Sequence, residues 1–415
     1  MNGADSDSIE GMLLSLGMEK ATNGTADLVL YNTCAVRDKA EHRMVSELGE
    51  VAKAKRLYPS MKIGILGCAA ESLRPSLENR HYVDLIQDGK DLEEMKEAVL
   101  TLLPDEIELT PDVLSTHRAG HLSGMVPVIR GCSYMCSYCI VPRTRGLQRS
   151  RPLEEILQET EACLDKGSKE IYLLGQNFLA YGRDLREGLK PEEMVRAVHD
   201  AFPECRRIRF LTSHPHDVTR SFLEVLSSLP RVAPYFHLPF QSGSDAVLKA
   251  MRRITTRAVV EKKMGWIREI WPQASISTDI IIGFPTERAS DFDDTLSLVD
   301  SLDLDFAYSF LYSPRPQTRA WEMGDPIPHT EKVDRMTRLQ DLLGSIWSRK
   351  NAQWIGNTVS VLVEGPEKSG KANRFTGRSP SWHPVHFTSD IDPTGTFVDV
   401  KIERSGKTSL GGVHV

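Results

Sequence analysis

A regular alternation of strand-like and helix-like segments dominates the chain from Met125 onward and limits the folds that it can adopt. Short apolar runs predict buried strands, and helical patterns fill the gaps between them. These runs lie at 126–130, 170–174, 207–211, 235–238, 275–282 and 306–311. Six βα repeats over about 200 residues are too few for a complete eight-stranded barrel of roughly 250 residues. The sequence therefore predicts a partial (β/α)6 barrel over residues 125–350 that is open on one side.

The segment before this barrel has a different order of predicted helices and strands. Helical patterns at 8–16 and 37–57 alternate with apolar strands at 27–31 and 62–66. This order predicts a small α/β domain over residues 1–104. The weakly patterned stretch 105–124, which contains Pro and Gly, is predicted to be a linker.

The C-terminal segment has a third pattern of predicted secondary structure. A long polar helix is predicted at 331–354, and short β-rich runs separated by Gly, Pro and Ser follow it. Such runs are typical of a small antiparallel β-barrel, which we place at 355–415. The predicted fold class is thus α/β with three domains.

Composition narrows the class of protein. The 415 residues are 40% apolar and 26% charged, which is enough apolar content for more than one core. No apolar run of about 18 residues and no N-terminal export signal occur, so we expect a cytoplasmic protein without a membrane partner. The net charge of −6 means that any contact with nucleic acid must use local patches.

The seven cysteines are unevenly distributed, and three of them form the strongest motif in the chain. Cys132, Cys136 and Cys139 have the spacing C-x3-C-x2-C directly after the first barrel strand, at the edge where barrel active sites lie. Three thiolates suit a [4Fe–4S] cluster and leave one iron without a protein ligand, able to bind S-adenosylmethionine. The alternative is a zinc site completed by a distant His.

This loop resembles the hallmark of radical S-adenosylmethionine enzymes, and the residues around it resemble the methylthiotransferases. The similarity is greatest to the branch that makes 2-methylthio-N6-dimethylallyladenosine in tRNA. It rests on ordered motifs that cover nearly the whole chain, at 130–151, 174–177, 212–215, 238–245, 277–285 and 308–316. The resemblance implies that Cys132, Cys136 and Cys139 are catalytic cluster ligands.

Polar residues and glycines after successive strands are candidates for binding S-adenosylmethionine. Gly175 and Gly283 permit close approach of a ligand to the backbone, and polar side chains nearby can bind its amino-acid and ribose parts. Tyr138 could pack on the adenine. The polar candidates are Gln176, Asn177, Ser213 and Gln241. Taken singly, each could be only a turn residue or a strand cap.

Two isolated cysteines, Cys34 and Cys68, each follow a strand of the N-terminal segment. In the resembling family, three cysteines of this domain hold a second [4Fe–4S] cluster that takes part in sulfur insertion, and these two correspond to two of them. By comparison with that family, the third would lie two residues before Met1, and the opening strand of the domain is missing too. A misplaced start codon or a truncation is the favoured explanation, and a shorter protein that has lost sulfur transfer is the other.

Arginines and the C-terminal segment are the candidates for RNA binding. Arg143, Arg145, Arg149 and Arg151 follow the cysteine loop, where guanidinium groups can grip phosphates, although a solvated charge run is equally expected. The C-terminal segment is similar to the TRAM barrel that ends these enzymes. Its charge is nearly balanced, with seven Lys and Arg against six Asp and Glu after Ile355.

The resemblance implies a tRNA methylthiotransferase that acts on C2 of N6-isopentenyladenosine beside the anticodon. A radical derived from one S-adenosylmethionine would abstract hydrogen, and a second S-adenosylmethionine would supply the methyl group. The implied partners are the anticodon stem-loop, a reductant such as a flavodoxin or ferredoxin, and a sulfur donor. Three alternatives stay open: methylthiolation of threonylcarbamoyl-adenosine, methylthiolation of a ribosomal-protein aspartate, and a non-catalytic RNA-binding homologue.

Overall fold

The computed structural model describes residues 1–21, 26–33, 38–78, 80–104, 107, 121–186, 188–368 and 373–415. By internal contacts, the chain divides into two compact units. The first comprises residues 1–121, 130–149 and 315–321, and the second comprises 122–129, 150–314 and 322–415. Among the described helices, none is both long and apolar enough to cross a membrane.

The first unit contains a parallel three-stranded sheet in the order β1-β2-β3 with helices around it. Its elements are α1 (Asn2–Ser15), β1 (Leu28–Thr33), α2 (Asp38–Leu57), β2 (Lys62–Gly67), α3 (Ala70–Leu77), β3 (Leu85–Gln87), α4 (Leu92–Leu100) and α5 (Val141–Thr144). Strand β2 is apolar and buried from Ile63 onward because it lies in the middle of the sheet with helices on its faces. The predicted α/β arrangement is confirmed, and the linker prediction falls largely on residues outside the described ranges.

The second unit begins with parallel strands and crossing helices. Its elements are β4 (Ser123–Arg130), β5 (Arg149–Ser150), α6 (Leu153–Asp165), β6 (Glu170–Gly175), α7 (Pro191–Ala201), β7 (Arg207–Phe210), α8 (Arg220–Ser227), β8 (Tyr235–His237), α9 (Asp245–Ala250), α10 (Arg257–Ile270), β9 (Ser275–Ile282), α11 (Ala289–Leu302), β10 (Phe306–Leu311), α12 (Arg319–Glu322) and α13 (His329–Ala352). Three of them, β4, β5 and α12, extend into the first unit by one to three residues.

The six strands predicted from the sequence form the open barrel. The described strands make two sheets, β5-β4-β6-β7 and β8-β9-β10, and a parallel bridge between Ile208 and Val232 connects them. The parallel order β4-β6-β7-β8-β9-β10 confirms the (β/α)6 prediction. The short β5, which the sequence does not predict, adds to the outside of β4.

The barrel strands have one face under the helices and one toward the lumen. Phe236, Ile276, Ile280 and Ala307 belong to the large core that the helices cover. Side chains alternate along a strand, so the neighbours on the other face point into the lumen. We call these the lumen residues: Tyr235, His237, Ser277, Asp279, Tyr308 and Phe310.

The C-terminal segment forms a closed five-stranded barrel with strand order β11-β12-β13-β15-β14, which confirms the prediction of a small β-barrel. The neighbouring strands are antiparallel as predicted, except that β13 and β15 pair in parallel. Its strands are β11 (Thr358–Pro366), β12 (Arg374–Arg378), β13 (Pro384–Thr388), β14 (Phe397–Ser405) and β15 (Leu410–His414). Alternate apolar side chains fill the interior, among them Val361, Phe387 and Val400. Closure pairs both edges of the sheet.

A buried charged cluster joins this C-terminal barrel to the (β/α)6 barrel. Glu170 lies 3.1 Å from Arg209 Nε and 3.5 Å from Arg207 Nη1, and all three side chains are buried. Arg209 donates to the carbonyl oxygens of Ser379 and Pro380 at 2.7 and 2.8 Å. The turn between β12 and β13 is therefore fixed to β7 by charge-assisted hydrogen bonds.

An aromatic pair strengthens the same junction. Trp382, in the turn between β12 and β13, stacks on Tyr235 of β8 with ring centroids 4.9 Å apart. Its backbone is left-handed, with φ of 75°, an uncommon conformation for a bulky residue that the surrounding contacts must hold. The C-terminal barrel thus reaches the lumen side of the (β/α)6 barrel through one turn.

His383 makes stability at this junction depend on pH. It is buried between Phe306 and Trp354, and burial lowers its pKa from 6.5 to about 4. Between these values the unfolded chain binds a proton that the folded chain does not, so the free energy of unfolding must fall as the pH falls. Urea unfolding at neutral and mildly acidic pH tests this. We expect His383→Gln to reduce the pH dependence, and an unchanged dependence would contradict the assignment.

Candidate functional site

The cysteine loop begins where β4 ends, and glycine geometry fixes its first turn. Gly131 has φ of 72°, and a Cβ atom there would lie 2.3 Å from the carbonyl oxygen of Leu147. Cys132 N–H donates to the carbonyl of Gly146 at 3.2 Å, and Cys139 N–H donates to that of Cys136 at 3.1 Å. The loop is folded back on itself by its backbone, so its cysteines are presented from a defined turn.

The three cysteines fit an iron–sulfur cluster by donor type and by access. Each is partly exposed, whereas Cys205 lies in the core, where burial raises its pKa to about 11. Among the described residues, no three His, Cys, Asp or Glu side chains are already gathered as a metal-binding group. Cysteine sulfur is the donor type that iron–sulfur clusters require.

A buried polar network adjoins this loop within the first unit. Arg145 donates from Nη1 to Asp5 at 2.6 Å, from Nη2 to the Asn2 side chain at 2.6 Å and from Nε to Cys68 Sγ at 2.8 Å. Arg130 donates to the other oxygen of Asp5 at 2.5 Å. The carboxylate of Asp5 raises the pKa of Arg145 against the effect of burial. Cys68 is thus held by a guanidinium from the segment that follows the cysteine loop.

The four arginines predicted to bind RNA have different surroundings. Arg145 is buried in the network just described, and Arg151 of the second unit is paired with Glu159 and with Glu155 at 3.3 Å. Their charges are used inside the protein, which argues against direct phosphate contacts. Arg143 is exposed, and Arg149 is exposed beside Asp91 at 3.0 Å. The RNA-binding prediction is physically reasonable only for these two.

Two of the residues predicted to bind S-adenosylmethionine have polar atoms suited to a ligand. The Oε1 atom of Gln176 and the Oγ atom of Ser213 are buried, and neither has a hydrogen-bond partner in the described part of the chain. Both follow barrel strands, β6 and β7, at their carboxyl ends. A buried polar group without a partner costs free energy, so these atoms fit hydrogen bonds to a bound polar molecule.

The other polar candidates have structural contacts. Asn177 donates to Asp217 at 2.7 Å and accepts from the His214 backbone N–H at 2.9 Å. Gln241 has φ of 76°, and its backbone pairs with β9 through Asp279 and Ile281. Tyr138 is partly buried on the cysteine loop. Direct roles for these residues in binding stay predictions.

The two candidate glycines are explained by protein packing. A Cβ atom on Gly175 would lie 2.3 Å from the Ile129 side chain, and one on Gly283 would lie 2.6 Å from Lys332. Gly283 also has φ of 74°, which favours glycine. The close approaches at both positions are to protein atoms, so these approaches do not show a ligand site.

Sequence reasoning missed the buried Asp5 and the lumen pair His237 and Asp279. Asp279 lies in a stretch used for the family resemblance. No spacing rule indicates that Asp5 neutralises two arginines 125 and 140 residues away. Cys34, the other predicted ligand in the N-terminal domain, lies outside the described residues.

Two family profiles match the chain. The profile described as "Radical SAM superfamily" matches residues 126–299, and that described as "Uncharacterized protein family UPF0004" matches residues 1–88. The first match covers the open barrel apart from its last strand, together with the cysteine loop.

Solved radical S-adenosylmethionine enzymes share the fold. A radical S-adenosylmethionine methyltransferase from Kitasatospora setae, TsrM, is 14% identical with a TM-score of 0.56, over 76% of this chain and 68% of that one. The cobalamin-dependent S-adenosylmethionine radical enzyme OxsB is 13% identical with a TM-score of 0.51, over 80% of this chain and 54% of that one. At such identities the similarity concerns the fold alone.

Curated relatives are much more similar in sequence. Proteins named tRNA-2-methylthio-N(6)-dimethylallyladenosine synthase are 37% identical in Syntrophobacter fumaroxidans and 38% identical in Bacillus subtilis. The alignments cover 99% of this chain and 93% of the first relative, and 100% of this chain and 84% of the second. On this similarity over almost its full length, the chain belongs to the family of tRNA-2-methylthio-N(6)-dimethylallyladenosine synthases, which are radical S-adenosylmethionine methylthiotransferases.

Proposed function

We propose that this protein adds a methylthio group to C2 of N6-isopentenyladenosine next to the anticodon of tRNA. The observation that carries the proposal is the 37% identity, over 99% of the chain, to a relative named for this reaction product. The partly exposed cysteines, which follow the first strand of the (β/α)6 barrel in the sequence, support it chemically. The relatives favour this substrate over threonylcarbamoyl-adenosine and a ribosomal-protein aspartate.

The proposed roles follow from the site residues. Cys132, Cys136 and Cys139 hold a [4Fe–4S] cluster, which when bound supplies the electron that cleaves S-adenosylmethionine. The polar atoms of Gln176 and Ser213 are suited to hold the cofactor's amino-acid or ribose part. Tyr138 is proposed to cover its adenine. Orientation and exclusion of water are the protein's contribution to such chemistry.

The second cluster is proposed for the N-terminal domain, residues 1–104, where Cys34 and Cys68 correspond to two of the three cysteine ligands that the family uses. The sulfur of Cys68 accepts a hydrogen bond from Arg145 Nε at 2.8 Å. A flavodoxin or ferredoxin is the proposed reductant, and a separate sulfur donor is required for turnover.

The proposed RNA-binding surfaces are the C-terminal barrel at 355–415 and the exposed Arg143 and Arg149. A small five-stranded barrel is a common architecture among proteins that bind single-stranded nucleic acids. Phosphate contacts from the two arginines would orient the anticodon loop without reading its sequence.

Mass spectrometry of tRNA nucleosides from a deletion strain tests the function. We expect 2-methylthio-N6-isopentenyladenosine to disappear and N6-isopentenyladenosine to accumulate, with restoration on complementation. Survival of the methylthiolated nucleoside would contradict the proposal. Selective loss of methylthiolated threonylcarbamoyl-adenosine would identify that tRNA substrate instead, and mass spectrometry of ribosomal proteins from the same strain would reveal loss of a methylthiolated aspartate.

A further inference from the structure

A hydrogen-bonded row of side chains crosses the lumen face of β8 and β9. The Tyr235 hydroxyl lies 2.7 Å from Ser277 Oγ, and Ser277 Oγ lies 2.8 Å from Nδ1 of His237. Nε2 of His237 in turn lies 3.5 Å from Oδ2 of Asp279. One donor and acceptor assignment consistent with this row has Tyr235 donating to Ser277 and Ser277 donating to Nδ1, which leaves the proton on Nε2. The row ends at the Asp279 carboxylate, which faces Nε2 of His237.

This carboxylate is accessible and has aromatic neighbours. Asp279 keeps 27% of its side-chain surface exposed. Tyr308 is its partner in the parallel register of β9 and β10, and the Tyr308 and His237 rings meet edge to face with centroids 5.8 Å apart. Tyr308 is 43% exposed, and Phe310, two residues along the same face, is 37% exposed. Contiguous exposed apolar surface often marks a binding site.

These groups match the chemistry of a substituted adenine. An exposed aromatic ring stacks on a base of any sequence. An ionised carboxylate accepts hydrogen bonds but donates none, so it suits the single N–H that remains on N6 after one substitution. An apolar substituent on that nitrogen would find the Phe310 ring two residues beyond Tyr308. The lumen therefore offers a stacking surface, a hydrogen-bond acceptor and an apolar contact next to one another.

We propose that Asp279, oriented by His237, and the rings of Tyr308 and Phe310 form the base-recognition pocket for an adenine that carries one apolar substituent on N6. This inference rests on the proposed function and adds the residues that select the base. Asp279 accepts the N6–H hydrogen bond, Tyr308 stacks on the base, and Phe310 contacts the substituent. His237 is a positioning residue that acts through Asp279.

The test compares two anticodon stem-loop RNAs on the same enzyme preparation. One carries N6-isopentenyladenosine, and the other carries the same base with an added N6-methyl group, which removes the N6–H. We expect wild-type enzyme to prefer the first RNA by at least about tenfold in kcat/KM. Asp279→Ala should bring this ratio close to one, while Asp279→Asn, which retains an acceptor oxygen, should keep part of it. His237→Asn should lower the ratio less than Asp279→Ala. The ratio is unaffected by the folded or cluster-loaded fraction.

Stacking is tested by a second pair of variants. Tyr308→Phe keeps a ring and should retain kcat/KM within about threefold, whereas Tyr308→Ala should lose on the order of tenfold or more. Asp293→Ala removes an exposed carboxylate from α11, outside the lumen, and serves as the control for loss of charge. It should keep both the wild-type ratio and the wild-type rate.

The outcomes distinguish failure of the proposed function from failure of the pocket assignment. If wild-type enzyme methylthiolates neither RNA, the proposed function fails. If it modifies the isopentenylated RNA but does not discriminate between the two, or if Asp279→Ala keeps the wild-type ratio, the function stands and the pocket assignment is overturned.

Discussion

Replacing Cys136 by Ala should abolish reductive cleavage of S-adenosylmethionine. A [4Fe–4S] cluster with three thiolate ligands has no spare protein ligand, so loss of one leaves the irons poorly held. After anaerobic reconstitution, we expect the iron content to fall by about four atoms per chain relative to wild type. Formation of 5′-deoxyadenosine with dithionite as reductant should fall to the level without enzyme.

Cys163→Ser is the matched control for Cys136→Ala. Cys163 is a partly buried cysteine on α6 that packs against the barrel core, outside the cysteine loop. It should keep the wild-type iron content and the wild-type yield of 5′-deoxyadenosine. Wild-type iron in Cys136→Ala would show that the cluster is held elsewhere, whereas equal loss in both variants would indicate general instability of the protein.

Glu170→Ala should destabilise the second unit by about 3–5 kcal/mol, because it leaves the buried charges of Arg207 and Arg209 without their carboxylate. Burial, together with the neighbouring Arg209, already lowers the pKa of Arg207 to about 10. Without Glu170, the hydrogen-bond acceptors left to both guanidinium groups in the described part of the chain would be backbone carbonyls of the C-terminal barrel, including those of Ser360 and Ser379. Urea unfolding followed by circular dichroism measures the change.

Glu161→Ala provides the comparison for Glu170→Ala. Glu161 lies exposed on α6, so its loss should change the free energy of unfolding by less than about 0.5 kcal/mol. If Glu170→Ala were as mild as this control, the cluster at the junction would be energetically unimportant. A Glu170→Gln variant, which keeps an acceptor oxygen without the charge, should fall between the two.

The elements of the fold were predictable because their signals are local. Residues 275–282 and 306–311 have the apolar character of barrel strands, and both predictions agree with the structure at each end. The β-rich runs after Ile355 predicted a small barrel, which the structure confirms as closed. The short β5 carries no such pattern, since two residues are too few for a periodicity to show.

The site was predictable where its residues are neighbours in the sequence and unpredictable where distant residues meet. The spacing of Cys132, Cys136 and Cys139 identifies the loop from the sequence. In contrast, the role of Arg145 depends on Asp5, which lies 140 residues away, and the predicted contact of Arg145 with RNA is replaced by this buried pair. Charge patterning along the chain does not indicate which arginine is neutralised inside the protein.

The attachment of the C-terminal barrel has a geometric consequence for substrate selection. Trp382 and the carbonyls accepting from Arg209 hold one turn of that barrel against β7 and β8, so the two barrels are not joined by a flexible tether alone. On the proposed function, an RNA bound by the C-terminal barrel would be held at a fixed distance and angle from Asp279 and Tyr308. The junction would then select a nucleotide by its position along the loop, and the proposed pocket would select it by its chemistry. Lengthening the turn around Trp382 should therefore shift which nucleotide reaches the lumen before it alters which base is accepted.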